Sequence, residues 1–253
     1  MVNGLISYKI MIKKIIKLIS HPQSEYKKIV PFFQTKMFYA NIKKAKINQH
    51  NEFTRLKADY SKYNPIRLHI GCGPRILKSW INIDLSLEPY KKYEKKGIQY
   101  FPEEEKGNVD DFYAMNILET GLPLPDNSVD AIFHEDFIEH IDQKEQVIFL
   151  AETLRVLKVG SVHRINTPDL LKSMGTHSDF SKGKAGVYVG EWDKWTHQNI
   201  LTKNYLKEIA FMIGYRDVVF STRNKSVSNI IPTEFKPGAD RAEDGNLFVD
   251  LIK

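Results

Sequence analysis

Ile66-Arg67-Leu68-His69-Ile70-Gly71-Cys72-Gly73-Pro74 is the stretch that decides the fold: a short apolar run stops on two glycines one residue apart. Such a run, bounded by turn residues, reads as a buried strand over Ile66–Ile70. Glycines at its end let the backbone turn sharply and approach a ligand with no Cβ in the way. A dinucleotide fingerprint would continue to a third glycine, but Ile76 stands there, and Asp84 comes only eleven residues after Gly73. A nicotinamide dehydrogenase is therefore a distant reading.

Downstream, short apolar runs alternate with helical patterns. Trp80–Leu85 reads as a second strand, Val109–Met115 as a third interrupted by Asp110 and Asp111, and Val129–His134 as a fourth. A helix over Lys144–Lys158, with Val147, Leu150, Ala151, Leu154 and Leu157 on one face, precedes a fifth strand at Val162–Asn166. Thr202–Ile213 is a helix stopped by Gly214, and Arg216–Ser221 and Leu247–Ile252 close the chain as strands. This alternation predicts an α/β fold: a seven-stranded, mostly parallel sheet with helices on both faces. The last two strands lack a connecting helix, so the final strand is expected to be antiparallel.

Upstream, Asn64-Pro65 marks a boundary between a basic, largely helical extension, 1–64, and a domain over 65–253. The extension carries a net charge of +10 through Lys62 and the remainder −4, within the total of +6. Leu5, Tyr8, Ile12, Ile15, Ile16 and Ile19 fall at helical spacing, with Lys9, Lys13 and Lys17 on another face. Two readings stand: a helix contacting an anionic membrane surface or a partner, or one packed on its own domain or a second subunit. The body is acidic, so net charge does not argue for a nucleic-acid partner, and none is expected. A composition of 42% hydrophobic and 27% charged residues excludes a disordered chain. A single cysteine, Cys72, excludes an internal disulfide framework and fits a reducing compartment. Lysines interrupt every apolar run before the ~18 residues of a membrane span, and the start is a poor secretory signal. A cytoplasmic protein is expected, peripheral at the inner membrane surface if the extension binds there.

Four blocks carry a family resemblance: LHIGCGP, SWINIDLS, LPLPDNSVDAIFHEDFIEHI and ETLRVLKVGSVHRINTPDL, in that order over residues 67–170. The chain resembles the class I S-adenosylmethionine-dependent methyltransferases, and most closely the small, type 11-like members. In those a short first crossover leads to a Gly-Trp-x-Asn-x-Asp strand. The ending NLFVDLIK is similar to their last strand. The resemblance implies S-adenosylmethionine as cofactor, held around Ile70, Gly71, Cys72, Gly73, Asp84, Leu85, Asn116, Ile117 and His134. A carboxylate at Asp84 suits two ribose hydroxyls, since each of its oxygens accepts hydrogen bonds. Asn116 stands where many relatives have Asp beside the adenine. As alternatives, Asp84 caps a loop, Asn116 fills a turn, and Cys72 is a packing residue.

HEDFIEHI starts where the fourth strand should reach the ligand-binding edge of the sheet. Relatives often read Ser-His-Val-Leu-Glu-His there, so Glu135 and Asp136 occupy the first two positions and Glu139-His140 the last two. Transfer to a hydroxyl needs a base. His134 is the first choice because imidazole titrates near neutrality, Glu135 and Asp136 follow, and His197, in the long segment 170–201, is the outside candidate. The competing reading has no catalytic base, because a pre-ionised or amine acceptor needs only positioning. His134 and His140 lie six apart, off any common helical face, so no metal is expected. The resemblance leans towards methylation of an O or N atom on a small molecule or glycan sugar. The rivals are a nucleic-acid methyltransferase and a non-catalytic scaffold of the same fold.

Overall fold

The computed structural model describes residues 48–97, 102–176, 190–193, 195–234 and 245–253. The amphipathic pattern of residues 5–19 lies outside the described residues. Seven strands form one sheet: β1 (Arg67–Ile70), β2 (Ile81–Asp84), β3 (Phe112–Ala114), β4 (Val129–Glu135), β5 (Leu157–Pro168), β6 (Asp217–Phe220) and β7 (Asn246–Ile252). Their order is β3-β2-β1-β4-β5-β7-β6, parallel except that β7 runs antiparallel to both β5 and β6. The order reverses between β1 and β4, so the crevice of an open α/β sheet falls at their carboxyl ends.

Side-chain alternation gives the sheet two faces. Leu68, Ile81, Ile83, Ile132, Ile165 and Val249 join the main core on one of them. Covering them are the helical residues 48–59 (α1), through Leu56, then Gln143–Val156 and Lys203–Ile213. On the opposite face Tyr90, from the helix Glu88–Lys96 (α2), packs with Cys72, Ile76 and Phe112. The β1–β2 crossover, residues 71–80, holds no helix. A chain segment fills that space: Ile230 and Ile231 lie on Trp80, Ala131 and Phe133. This segment is pinned by the fully buried Arg164, whose guanidinium donates to both oxygens of Glu234 at 2.8 and 2.9 Å and reaches Asp250 at 3.3 Å.

Three elements differ from the sequence reading, the first being β5, which starts at Leu157 rather than Val162 and takes Leu157 from the helix. Residues Val109–Asp111 form a tight turn, capped by the Asn108 side chain accepting from Asp110 N, and only Phe112–Ala114 pair as a strand. The helix Ile117–Thr120 (α3) leads on towards β4. In the next helix, Gln143–Val156 (α4), the buried face is Gln146, Phe149, Leu150, Thr153 and Val156, whereas Val147 is 42% exposed and Ala151 is exposed. The rotation has a polar cause. Gln146 donates to the Ile138 carbonyl and Thr153 meets the Tyr215 hydroxyl, so two polar residues occupy the core side. The compact unit runs over residues 50–253, upstream of Asn64-Pro65. No helix among the described residues is long and apolar enough to cross a membrane.

Candidate cofactor and methyl-transfer site

The loop after β1 turns through Gly71 (φ +62°) and Gly73 (φ +52°), left-handed values that favour glycine. A Cβ on Gly71 would lie 2.5 Å from the Phe137 ring, so this glycine lets the loop close on the segment after β4. A Cβ on Gly73 would meet nothing within 4 Å, because it faces the crevice. Asp84, ending β2, holds the loop in place: Gly73 N donates to its Oδ2 at 2.7 Å and Leu85 N to its Oδ1 at 2.6 Å. Burial pushes the Asp84 carboxyl up, against those backbone donors, which pull it down.

A cavity of about 260 Å³ opens here, walled by residues 71–75, His69, Glu135 and Asp136. Arg75 is nearly buried and donates to Glu135 Oε2 at 2.7 Å and Glu105 Oε2 at 2.9 Å. Asn166 of β5 donates to Glu135 Oε1 at 3.1 Å. Both Glu135 oxygens are thus engaged, which fixes this carboxylate in the cavity wall. Asp136 has a positive φ of 45° and its N–H is tied to the Asn166 carbonyl at 2.9 Å, leaving the residue at the crevice.

His134 does not reach the cavity. Strand alternation turns it to the opposite face, fully buried between Phe137, Phe149 and His163. Neither ring nitrogen has a hydrogen-bond partner among the described residues, and burial lowers its pKa to about 3. His134, expected as base and as cofactor contact, is thus placed on the buried face of the sheet and away from the cavity. Ile70 likewise points into the core and offers only backbone, as does Ile117, at 5% exposure. Cys72 is buried in the apolar cluster with its thiol pushed up by burial, which suits packing and not nucleophilic attack.

Leu85 stands 70% exposed beside Asp84, an apolar surface at the mouth of the site. Asn116 caps α3: its Oδ1 accepts from Leu118 N at 3.2 Å and its Nδ2 donates to Glu119 at 3.1 Å. The amide expected at adenine is therefore employed in the turn. His197 sits elsewhere, against Glu139, His140 and Glu191 rather than at the glycine loop. Arg75, Asn166 and Phe137 shape the crevice without having been singled out from the sequence. Arg75 follows the GCGP turn directly, and Asn166 ends β5 at the ligand edge, which are the signals that point to them.

The residues fit a cofactor with a ribose and a positively charged sulfonium. An open space faces Gly73, an acid closes β2, and two acids stand at the β4 end. A family profile described as "Methyltransferase domain" matches residues 68–165. Among solved structures, a SAM-dependent methyltransferase from Archaeoglobus fulgidus is similar at 18% identity, over 79% of this chain and 94% of that one, with a TM-score of 0.47. Another SAM-dependent methyltransferase, from Thermotoga maritima, is similar at 16% identity over 85% and 96%, with a TM-score of 0.45. No curated protein matches the sequence. The matched segment holds the glycine loop, Asp84 and the β4 edge within the sheet order set out above, and over these residues the chain is similar to the class I S-adenosylmethionine-dependent methyltransferases.

Proposed function

We propose that the protein methylates an oxygen or nitrogen atom of a small-molecule or sugar acceptor bound over the carboxyl ends of β4 and β5. The observation that carries this reading is the cavity between the Gly71–Gly73 loop and the Glu135-Asp136 wall. Bound S-adenosylmethionine supplies an electrophilic methyl group on a sulfonium, which passes in line to the acceptor atom. The chain's own residues bind and orient. The glycine loop gives close backbone approach, and Asp84 keeps acceptor capacity for the ribose beyond the N–H groups of Gly73, Leu85 and Ser86. The carboxylates of Glu135 and Asp136 favour a cation in the cavity, with Arg75 fixing the first of them. Holding the reactants in line is the main catalytic contribution expected of such a site.

Calorimetric titration with S-adenosylhomocysteine, followed by a screen of hydroxyl and amine acceptors for methyl incorporation, tests the proposal. Saturable binding of one equivalent and turnover with an acceptor are expected. Absence of any S-adenosylhomocysteine binding would select the scaffold reading instead. The lone buried cysteine supports a cytoplasmic setting for this activity.

A further inference from the structure

The turn Ile138–His140 follows β4 directly and carries Glu139, fully buried, and His140, exposed. His197 arrives from a segment 57 residues further along, and is itself nearly buried. Backbone bonds fasten the two segments together: Gln198 N and Asn199 N donate to the Glu139 carbonyl at 2.8 and 3.1 Å. Ligand atoms of Glu139, His140 and His197 then all lie within 4.8 Å of one another. Their orientation is fixed from outside. Thr167 Oγ1 donates to Glu139 Oε2 at 3.0 Å, and His197 Nδ1 lies 3.1 Å from Glu191 Oε2. Ser173 in turn donates to the other Glu191 oxygen at 2.6 Å.

No hydrogen bond joins His197 Nδ1 to Glu191, but a carboxylate this close favours a proton on Nδ1 and leaves Nε2 as the lone-pair nitrogen, in the manner of outer carboxylates around metal-binding histidines. His197 Nε2 faces Glu139 Oε1 across 4.0 Å, too far for a hydrogen bond. Two ligands at about 2.0–2.2 Å from one tetrahedral ion stand about 3.3–3.6 Å apart, so this pair would close by roughly 0.5 Å on binding.

We propose that Glu139, His140 and His197 bind one divalent first-row transition cation, with Glu191 as the positioning residue for His197. Two imidazoles and a carboxylate suit such an ion, and three protein ligands leave coordination positions open. The site changes the expectation drawn from His134 and His140: the second imidazole is His197, which no local spacing could reveal. Asp136, at the cavity wall, lies three residues before Glu139, so the cation site follows the β4 end that walls the cavity. Resting on the methyl-transfer reading, this deepens the acceptor class to a hydroxyl. The ion lowers the pKa of the hydroxyl it binds. The O–H proton leaves to solvent, the oxygen forms the new bond to the methyl carbon, and the S–CH₃ bond breaks with its electron pair kept by sulfur.

The test uses the full chain, stripped with chelator and titrated separately with Mn²⁺, Co²⁺ and Zn²⁺ by calorimetry, with Co²⁺ absorption as a second readout. One cation per chain is expected for at least one of the three. His140→Ala, an exposed change, and His197→Ala should each weaken it by about 100-fold or more, and Glu191→Gln by about 10- to 100-fold. S-adenosylhomocysteine affinity is measured on the same samples and should be unchanged in His140→Ala. Failure of all three ions to bind saturably overturns the site. Equal binding by the parent and both histidine variants overturns it as well. Cation binding without S-adenosylhomocysteine binding supports the site and sinks the methyltransferase reading alone.

Discussion

Asp84 performs two tasks with one carboxylate, and its variants separate them. Its oxygens hold Gly73 N and Leu85 N, and the remaining lone pairs are available to a ribose. Asp84→Ala should cost about 2–4 kcal/mol of S-adenosylhomocysteine affinity, read by calorimetry, because charged hydrogen bonds are lost on both sides. Unchanged affinity would remove Asp84 from the cofactor site. His134 makes the opposite case. Its two unpartnered nitrogens sit in an apolar pocket, so His134→Leu removes a buried polar group at similar volume. Turnover at saturating cofactor should stay within about twofold of the parent, with thermal stability equal or higher. A hundredfold loss of turnover in a folded variant would restore His134 as a base. The sequence placed His134 correctly at the end of the fourth strand. It was silent on which face the ring takes there, and the period-2 alternation with Ala131 and Phe133 on the other side decides that.

At the scale of elements, legibility follows from how each one makes its boundaries. The helix Lys203–Ile213 could be read to within a residue at its start and to the residue at its end, because Thr202 accepts from Tyr205 N and Gly214 ends it at φ +118°. The face of α4 could not. Gln146 and Thr153 satisfy buried partners that only the folded chain supplies, so their polarity disguises a core stripe. The same holds for α1, which lies inside the stretch read from the sequence as extension. Leu56 is fully buried in the main core, and Arg55 donates to the carbonyls of Phe112 and Asp110. We therefore expect a chain begun at residue 48 to fold and bind S-adenosylhomocysteine, and one begun at Tyr63 to be destabilised. Leu56→Ala in the full chain should cost about 2–5 kcal/mol in urea unfolding, the range for a cavity in a packed core. A loss below about 1 kcal/mol would show that α1 is dispensable to the domain.

Over the whole molecule, the sheet carries three buried imidazoles, His69 and His134 on opposite faces and His163 beside the second. Burial, with the charge of Arg75 as a further cause at His69, lowers His69 to about 3, and burial alone lowers His134 to about 3. Burial and then His134 push His163 well below its ordinary value. Histidine in an unfolded chain titrates near ~6.5. Between about 6.5 and 3 the unfolded state therefore binds more protons than the folded one, and stability rises with pH across that window. Above it the three groups are neutral in both states and contribute no slope. On acidification His69 and His134 each cost on the order of 1 kcal/mol by pH ~5.5 and His163 adds in the same direction, against a total stability of roughly 5–15 kcal/mol. Urea midpoints should accordingly be flat from pH ~7 to ~8 and fall steeply below pH ~6. His134→Leu removes one of these proton uptakes, so its loss between pH ~7 and ~5.5 should be smaller than the parent's. Equal slopes in the two proteins would mean that His134 takes up its proton in the folded state, which the packing of Phe137 and Phe149 around it opposes.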